Sequence, residues 1–287
     1  MSRPIHLGIS TCPNDTFAFH GILEKKVDLR GLEFRTELLD VQELNDRLFR
    51  GDFDVAKASF HAALLLADEL GVLSSGSALG FGVGPLLLSA QPDSRPEDAF
   101  VDDRGGPRSP RVLCPGRTTT AALLYQLFHP GQGRIEHVVF SEIMPALQQG
   151  AADFGVCIHE GRFTWQEHGL GLVEDLGQVW EQATQAPLPL GGILARHALG
   201  AETLHAVQQV VADSVAYGLA NREETAATMR RYAQEFNDDV LYAHVDLYVN
   251  AYTEHLGEAG SAALAELAQR AAAAGVIPHA AQLTVIE

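Results

Sequence analysis

The chain has 287 residues, of which 46% are hydrophobic and 20% are charged, and its formal net charge is −17. The length allows two domains of ordinary size, and the composition is typical of a globular protein. The acidic balance argues against nucleic acid or an anionic membrane as the main partner, although a local basic site can still bind an anionic small molecule.

The hydropathy pattern predicts neither a signal peptide nor a membrane span. The amino-terminal segment contains only a short apolar run, and no stretch is long enough to cross a bilayer. The three cysteines, Cys12, Cys114 and Cys157, are widely spaced and form neither a CxxC pair nor a zinc pattern. These features predict a cytoplasmic protein with reduced thiols and no metal site.

The first 90 residues show alternating strand and helix patterns. Apolar and alternating runs predict strands over 5–10, 32–39 and 53–59. Helices are predicted to begin near Thr16, at Asp40 and at His61, the last of them running to residue 70. Asp40 is followed three residues later by Glu43, which is a capping-box-like start.

Two stretches interrupt the middle of the chain. Residues 91–110 are rich in Pro, Asp, Arg and Gly, which predicts a crossing between domains or an exposed loop. A second crossing is predicted at 185–192, and the chain is mostly helical from Glu202 onward. The elements predicted between the crossings are strands over 112–114, 135–140 and 153–158 and helices over 121–128 and 144–149.

The two crossings divide the chain into two lobes. The larger, outer lobe comprises residues 1–90 plus 191–287, and the smaller, inserted lobe comprises residues 91–190. Two α/β lobes joined by two hinge strands form a clamshell, which binds a small molecule in its cleft and closes over it.

The segment 153–164 carries a candidate catalytic base. An apolar, strand-like run leads directly into His159, followed by Glu160, Gly161 and Arg162. Strand ends at the carboxyl edge of a parallel sheet are where open α/β folds place their ligands, and histidine moves protons near neutral pH. The alternative is a histidine that only caps the strand, and this segment alone does not decide between the two.

Three other predicted strand ends carry small polar donors, at residues 10–16, 57–59 and 115–121. Thr119 and Thr120 precede a helix, whose amino terminus attracts a carboxylate or phosphate, although helix capping alone would also explain them. Lys57 follows an apolar strand and suggests an anionic ligand group, or else it extends its head into water. Four such loops in two lobes favour a ligand site.

Other candidate motifs predict no further chemistry. His159-Glu160 does not extend to HExxH because position 163 is Phe. The glycines at 80, 82 and 84 have the wrong spacing for a dinucleotide site, and no cofactor motif is present. Cys12 has no visible activating neighbour in the sequence, which favours a structural role over a nucleophilic one.

Taken together, these motifs resemble one enzyme family, the 1,4-dihydroxy-6-naphthoate synthases of menaquinone biosynthesis. The resemblance covers nearly the whole chain, and the stretch 93–109 departs from it. The matching motifs are Ser10-x-Cys12-Pro13-Asn14-Asp15-Thr16-Phe17, Asp54-x-x-Lys57-x-Ser59, residues 78–85, Pro115-Gly116-Arg117 with Thr119-Thr120-Ala121, Ile158-His159-Glu160-x-Arg162-Phe163-Thr164, residues 187–191 and 243–250.

The resemblance implies a type II periplasmic-binding-protein-like clamshell and a carbon–carbon lyase of the futalosine route. Such an enzyme converts cyclic dehypoxanthinyl futalosine to 1,4-dihydroxy-6-naphthoate and dihydroxyacetone, without a metal or redox cofactor. It implies His159 as the base that removes the first proton. The implied substrate-binding residues are Lys57, Ala58, Ser59, Thr119 and Thr120, with Asn14 and Arg162 as further candidates for orienting oxygens.

Two other functions fit the same clamshell. One is chorismate dehydration in the same pathway, and the other is non-catalytic binding of a small carboxylate. An exported receptor would need a signal peptide, which counts against the second reading. The sequence leaves the oligomeric state open and is compatible with a homo-oligomer.

Overall fold

The computed structural model describes residues 3–102, 104–159, 161–232 and 237–287. Its strands are β1 (Ile5–Ser10), β2 (Phe34–Leu39), β3 (Val55–Ser59), β4 (Leu70–Leu73), β5 (Ala78–Gly80), β6 (Leu86–Ser89), β7 (Phe100–Val101), β8 (Pro107–Arg108), β9 (Arg111–Cys114), β10 (Arg134–His137), β11 (Phe154–Cys157), β12 (Gly171–Asp175), β13 (Leu188–Arg196) and β14 (Val285–Ile286).

The helices cover both sheets and fill the last third of the chain. They are α1 (Pro13–Ala18), α2 (His20–Leu23), α3 (Val41–Phe49), α4 (Phe60–Leu65), α5 (Thr120–Phe128), α6 (Phe140–Gln148), α7 (Gly161–Thr164), α8 (Leu176–Thr184), α9 (Ala201–Ala220), α10 (Arg222–Tyr232), α11 (Asp238–Tyr248), α12 (Ala251–Glu254) and α13 (Gly257–Ala273), with a 3₁₀ turn at His197–Leu199.

The first sheet has the strand order β14-β4-β13-β3-β1-β2, and β5 also pairs with β13. β1 is parallel to both β2 and β3. β13 is antiparallel to β3, β4 and β5. The ends of β1 and β3 therefore lie side by side at one edge, where the loops that follow them can form a common site.

The second sheet has the order β10-β9-β11-β6-β12. β11 is parallel to β9 but antiparallel to β6, so the sheet around the predicted catalytic segment is mixed rather than wholly parallel. β11 is buried along its whole length, as the apolar run of the sequence predicts. A small hairpin of β7 and β8 occupies the stretch that the sequence predicts as a loop or crossing.

The chain passes from the first sheet to the second between β5 and β6, and it returns at β13. Because β6 pairs in the second sheet, this crossing at residues 81–85 precedes the predicted lobe limit at residue 90. The second predicted crossing, 185–192, overlaps the start of β13. The limits 1–90, 91–190 and 191–287 remain predictions about lobes.

Several predicted boundaries are wrong for local reasons. The helix predicted over 61–70 ends at Leu65, and Leu70 already begins the fully buried strand β4. An apolar run of this length fits a buried strand as well as a helix, so periodicity does not separate the two. The helix predicted from Thr16 begins at Pro13, whose fixed φ and missing N–H suit the first turn.

One hydrophobic core cluster lies between the first sheet and α9, and a larger one includes other residues of that sheet with α3, α4 and α13. Val207, Val210, Val211 and Val215 are buried, as their helical spacing predicts, whereas Leu219 is 39% exposed. None of the helices in the described ranges combines the length and the apolar character needed to traverse a lipid bilayer.

Candidate active site

A cleft lies where the loops after β1, β3 and β11 meet. It holds about 690 Å³ of empty space, a figure that includes the solvent-filled mouth. Its walls are Ser10, Cys12, Asn14, Asp15, Val41, Lys57, Ala58, Ser59, Ala78, Val83, Gly84, Pro85, Thr119, Thr120, Ala121, Ile158, His159, Leu190, Gly191, His244 and Tyr248.

The floor of the cleft is a hydrogen-bonded network, here called the floor network, of Ser10, Asn14, Asp15 and Lys57. The Asp15 carboxylate accepts from the Ser10 hydroxyl at 2.6 Å and from the Asn14 amide at 3.0 Å. The Lys57 ammonium donates at 2.6 Å to Oδ1 of Asp15, the oxygen that also accepts from Asn14, whereas Ser10 donates to Oδ2. All four residues are at most 9% exposed, so the carboxylate is held by three donors away from bulk water.

The ion pair changes the role predicted for Lys57. The sequence places this lysine opposite an anionic ligand, but the structure balances its charge with Asp15 and directs a second, longer bond of 3.4 Å to the Gly76 carbonyl. A buried charge is costly unless it is paired, and Asp15 supplies the partner. Lys57 still lines the cleft, as predicted.

Ser59 ends β3 and begins α4 within the cleft. Its backbone N–H donates to Asn45 Oδ1 at 3.0 Å, and its hydroxyl oxygen accepts from the Asn45 side-chain amide at 3.2 Å. The same Asn45 amide reaches the Thr118 carbonyl of the second lobe at 3.4 Å. Ser59 is therefore held in one position with a hydroxyl proton that it can donate.

Thr119 and Thr120 lie at the amino terminus of α5, as predicted. The Thr119 hydroxyl caps the helix by accepting from Ala122 N at 3.2 Å, and it donates to the Gly116 carbonyl. The Thr120 hydroxyl donates to the Leu190 carbonyl at 2.6 Å. Both hydroxyls serve the fold, so a ligand at this helix end would meet the backbone N–H groups of the first turn.

His159 stands two residues beyond β11 in a left-handed backbone conformation, with φ of 55°. This region is uncommon for residues other than glycine and persists only where the surroundings hold it. Cys12 Sγ lies 3.1 Å from His159 Nδ1, and the Phe140 ring meets the imidazole edge-on at 4.8 Å between centroids. Glu160, the acidic neighbour in the predicted motif, lies outside the described residues.

His244, on α11, lies in the cleft wall beside His159 at 6.5 Å between ring centroids. These two residues are here called the histidine wall. His244 is 2% exposed and contacts the Tyr248 ring at 4.5 Å. Burial, together with the nearby His159 and Lys57, lowers the pKa of His244 to about 3. The imidazole is therefore neutral at neutral pH.

Arg162 was predicted to orient ligand oxygens, but it is not among the described residues that line the cleft. Its guanidinium donates to the Gly84 carbonyl at 2.6 Å and to the Asp175 carboxylate at 2.9 Å. The described cleft lining includes Gly84 but not Arg162. Arg162 thus acts on the cleft through the backbone of Gly84.

The structure brings together seven of the eight predicted site residues in one cleft: Asn14, Lys57, Ala58, Ser59, Thr119, Thr120 and His159. Sequence reasoning missed the contributions of Asp15 and His244 and assigned Cys12 a structural role. Asp15 and Cys12 lie within the motif at 10–16, and membership of that motif could have identified them as cleft residues. His244 belongs to a motif that carries the family resemblance, but its helix gives no sign that it faces the cleft.

Solved structures define the class of this fold. A protein from Archaeoglobus fulgidus is 30% identical with a TM-score of 0.85, and the match covers 96% of this chain and 98% of that one. The periplasmic aliphatic sulphonate binding protein of Escherichia coli is 16% identical with a TM-score of 0.63, covering 99% and 91%. The protein has the two-lobed α/β fold of periplasmic binding proteins, as predicted.

Sequence relatives define the family. The family model described as menaquinone biosynthesis matches residues 5–273. A protein of Thermus thermophilus named 1,4-dihydroxy-6-naphthoate synthase is 41% identical over 272 residues, 95% of each chain. A protein of the same name from Streptomyces coelicolor is 37% identical over 279 residues, covering 96% of this chain and 95% of the relative. The chain belongs to the menaquinone biosynthesis family, which confirms the resemblance.

Proposed function

We propose that this protein is a 1,4-dihydroxy-6-naphthoate synthase, a carbon–carbon lyase that converts cyclic dehypoxanthinyl futalosine to 1,4-dihydroxy-6-naphthoate and dihydroxyacetone. The observation that carries the proposal is a single cleft lined by His159, Ser59 and the amino terminus of α5, in a chain that matches two synthases of that name over nearly its whole length.

The substrate carries an aromatic carboxylate, and the end of the cleft near Ser59 and α5 suits it. Ser59 can donate its hydroxyl proton, and the first turn of α5 presents backbone N–H groups. The ammonium of Lys57 has three protons, of which two are directed to Asp15 and Gly76, so it can still donate one hydrogen bond to a ligand oxygen although Asp15 balances its charge. The Asn14 side chain lies beside this group.

Within the same cleft, His159 removes the proton next to a carbonyl that begins the elimination. Cys12 Sγ lies 3.1 Å from Nδ1 of His159 and 3.9 Å from Nε2, so the thiol orients the ring of the base within the cleft. Breaking the bond to the three-carbon fragment then yields an aromatic ring, and aromatisation supplies driving force.

Closure of the lobes would exclude water from this chemistry. A contact across the lobes already exists, because Gln42 Oε1 accepts from Thr118 N at 3.3 Å. A closed, dry cleft strengthens the electrostatic interactions inside it. A cytoplasmic location and a single small anionic substrate are further parts of the proposal.

The test is incubation of the purified protein with cyclic dehypoxanthinyl futalosine and, separately, with chorismate. Formation of a naphthoate from the first compound alone, identified by mass and absorbance, is the expected result. Consumption of chorismate would instead make the protein a dehydratase. Saturable binding of either compound without turnover would favour a non-catalytic receptor.

A further inference from the structure

His244 is a buried polar group whose hydrogen-bonding capacity the protein itself does not use. Across the described ranges, neither Nδ1 nor Nε2 of this ring has a hydrogen-bond partner. Leaving a buried polar group unsatisfied costs about 1–3 kcal/mol, and most such groups in folded proteins are paired. The ring also lines the cleft. A ligand bound in the cleft can therefore supply a partner for it.

The neighbours of His244 place it beside His159, the proposed base. Its ring lies 6.5 Å from that of His159 with 17° between the planes, and the rings of Tyr248 and Phe163 lie on other sides at 4.5 and 6.1 Å. The aromatic contacts hold the imidazole in place without using its nitrogens. The two rings are close enough that a substrate atom deprotonated by His159 would lie near the His244 nitrogens.

A neutral imidazole has one N–H donor and one acceptor. When a proton is removed from a carbon next to a carbonyl, negative charge develops on the carbonyl oxygen. A fixed donor aimed at that oxygen stabilises the transition state more than the ground state, and a neutral donor does so without being deprotonated by the base beside it. The depressed pKa of His244 keeps it in this neutral form.

We propose that His244 is a catalytic residue that donates a hydrogen bond from its neutral ring to the substrate oxygen on which charge develops when His159 removes the proton. The inference rests on the proposed function and adds a second histidine to it, with a role distinct from that of the base. The residue acts as an electrophile and never carries the transferred proton.

The test is the kinetics of His244→Phe, which retains the ring and removes both nitrogens, and of His244→Gln, which restores a donor. We expect His244→Phe to lower kcat by about 10²–10³-fold with little change in KM, the effect typical of losing one such donor. His244→Gln should recover part of this loss. Because no hydrogen bond within the described protein is broken, His244→Phe should unfold at the same temperature as the parent or higher.

The matched control is His20→Phe. His20 is also buried, at 3% exposed, and also has an unpaired ring nitrogen among the described residues, but it contacts Thr228 and does not line the cleft. Its replacement should leave kcat unchanged. A folded His244→Phe that turns over substrate at the parent rate would overturn the inference.

A crystal structure of the wild-type protein with 1,4-dihydroxy-6-naphthoate tests the inference without any variant. A His244 nitrogen should lie within about 3.2 Å of a ring hydroxyl oxygen of the product. Product bound in the cleft with its oxygens out of reach of this ring would contradict the inference alone. If the wild-type protein neither turns over the futalosine derivative nor binds the product, the proposed function itself fails.

Discussion

The two polar sides of the cleft differ in how their groups are satisfied. In the floor network, Asp15 accepts from three donors, and its charge is balanced by Lys57. In the histidine wall, His159 is held in a left-handed conformation, and both ring nitrogens of His244 lack partners among the described residues. The floor network thus contributes to the folded state by itself, whereas we propose that a bound ligand completes the histidine wall.

The contrast shows that a charged side chain in a cleft need not be the group that meets the ligand charge. Lys57 looks like an anion-binding residue by position, yet its strongest contact is internal. Satisfied groups give the cleft a fixed shape, and unsatisfied groups give it binding and catalytic capacity. The predictions below test this division from the largest expected effect to the smallest.

Removing the charge of Asp15 should destabilise the fold. Asp15→Asn leaves the buried ammonium of Lys57 unbalanced, and we expect a loss of about 3–5 kcal/mol in the free energy of unfolding. Urea denaturation with an unchanged slope measures it. The double variant Asp15→Asn/Lys57→Met removes both charges and should recover much of the loss.

The control for this prediction is Asp238→Asn, which breaks an exposed pair with Arg230 and should have little effect. A loss at Asp15 no larger than that at Asp238 would show that the floor network does not stabilise the fold.

Stability should fall in acid partly because of His244. Its pKa is about 3 in the folded protein and about 6.5 when unfolded, so the unfolded chain binds an extra proton between these values. His244 does not lower the free energy of unfolding above about pH 6.5, and it lowers that free energy progressively as pH falls toward 3. In His244→Phe the decline of unfolding free energy between about pH 7 and pH 5 should be shallower than in the parent. Equal slopes would mean that His244 titrates normally.

Ser59 should affect binding rather than chemistry. Ser59→Ala removes a donor to the substrate carboxylate, and hydrogen bonds to charged groups contribute about 1.5–3 kcal/mol. We expect KM to rise about tenfold or more while kcat stays within about threefold. Ser109→Ala, at an exposed position, is the control. A fall in kcat at constant KM would show that Ser59 acts in the chemical step rather than in binding.

Cys12 should have a smaller effect, through the orientation of His159. Cys12→Ala removes the contact of 3.1 Å to Nδ1, and a neutral hydrogen bond is typically worth about 0.5–1.5 kcal/mol, which corresponds to a fall in kcat of about two- to thirteenfold. Cys12→Ser retains a polar partner and should lose less. Parental kcat in both variants would show that the thiol does not position the base.

The sequence predicted several features that depend on neighbouring residues, although not every helix boundary. The strand β1, the Asp40 cap of α3 and the helical valines of α9 follow from local patterns, and Asp40 indeed accepts from Gln42 N. The motif loops were also correctly assigned to one cleft, because strand ends in α/β folds converge.

The sequence did not reveal contacts between distant segments. Cys12 and His159 are 147 residues apart, and Lys57 and Asp15 are 42 apart. No periodicity encodes such pairs, since they depend on how two sheets and α11 are assembled. His244 lies on the buried face of α11. Only the assembled structure shows that this face also lines the cleft.

The variant His159→Ala tests most directly whether the histidine wall carries the chemistry while other parts of the cleft bind the ligand. Turnover of cyclic dehypoxanthinyl futalosine at saturating substrate should fall by about 10²–10⁴-fold, the usual contribution of a general base, while the affinity for 1,4-dihydroxy-6-naphthoate changes by no more than about threefold. The exposed His255→Ala, which loses only a contact with Glu287, is the control. A parental turnover rate, or a loss of product affinity as large as the loss of rate, would contradict the assignment of His159 as the base.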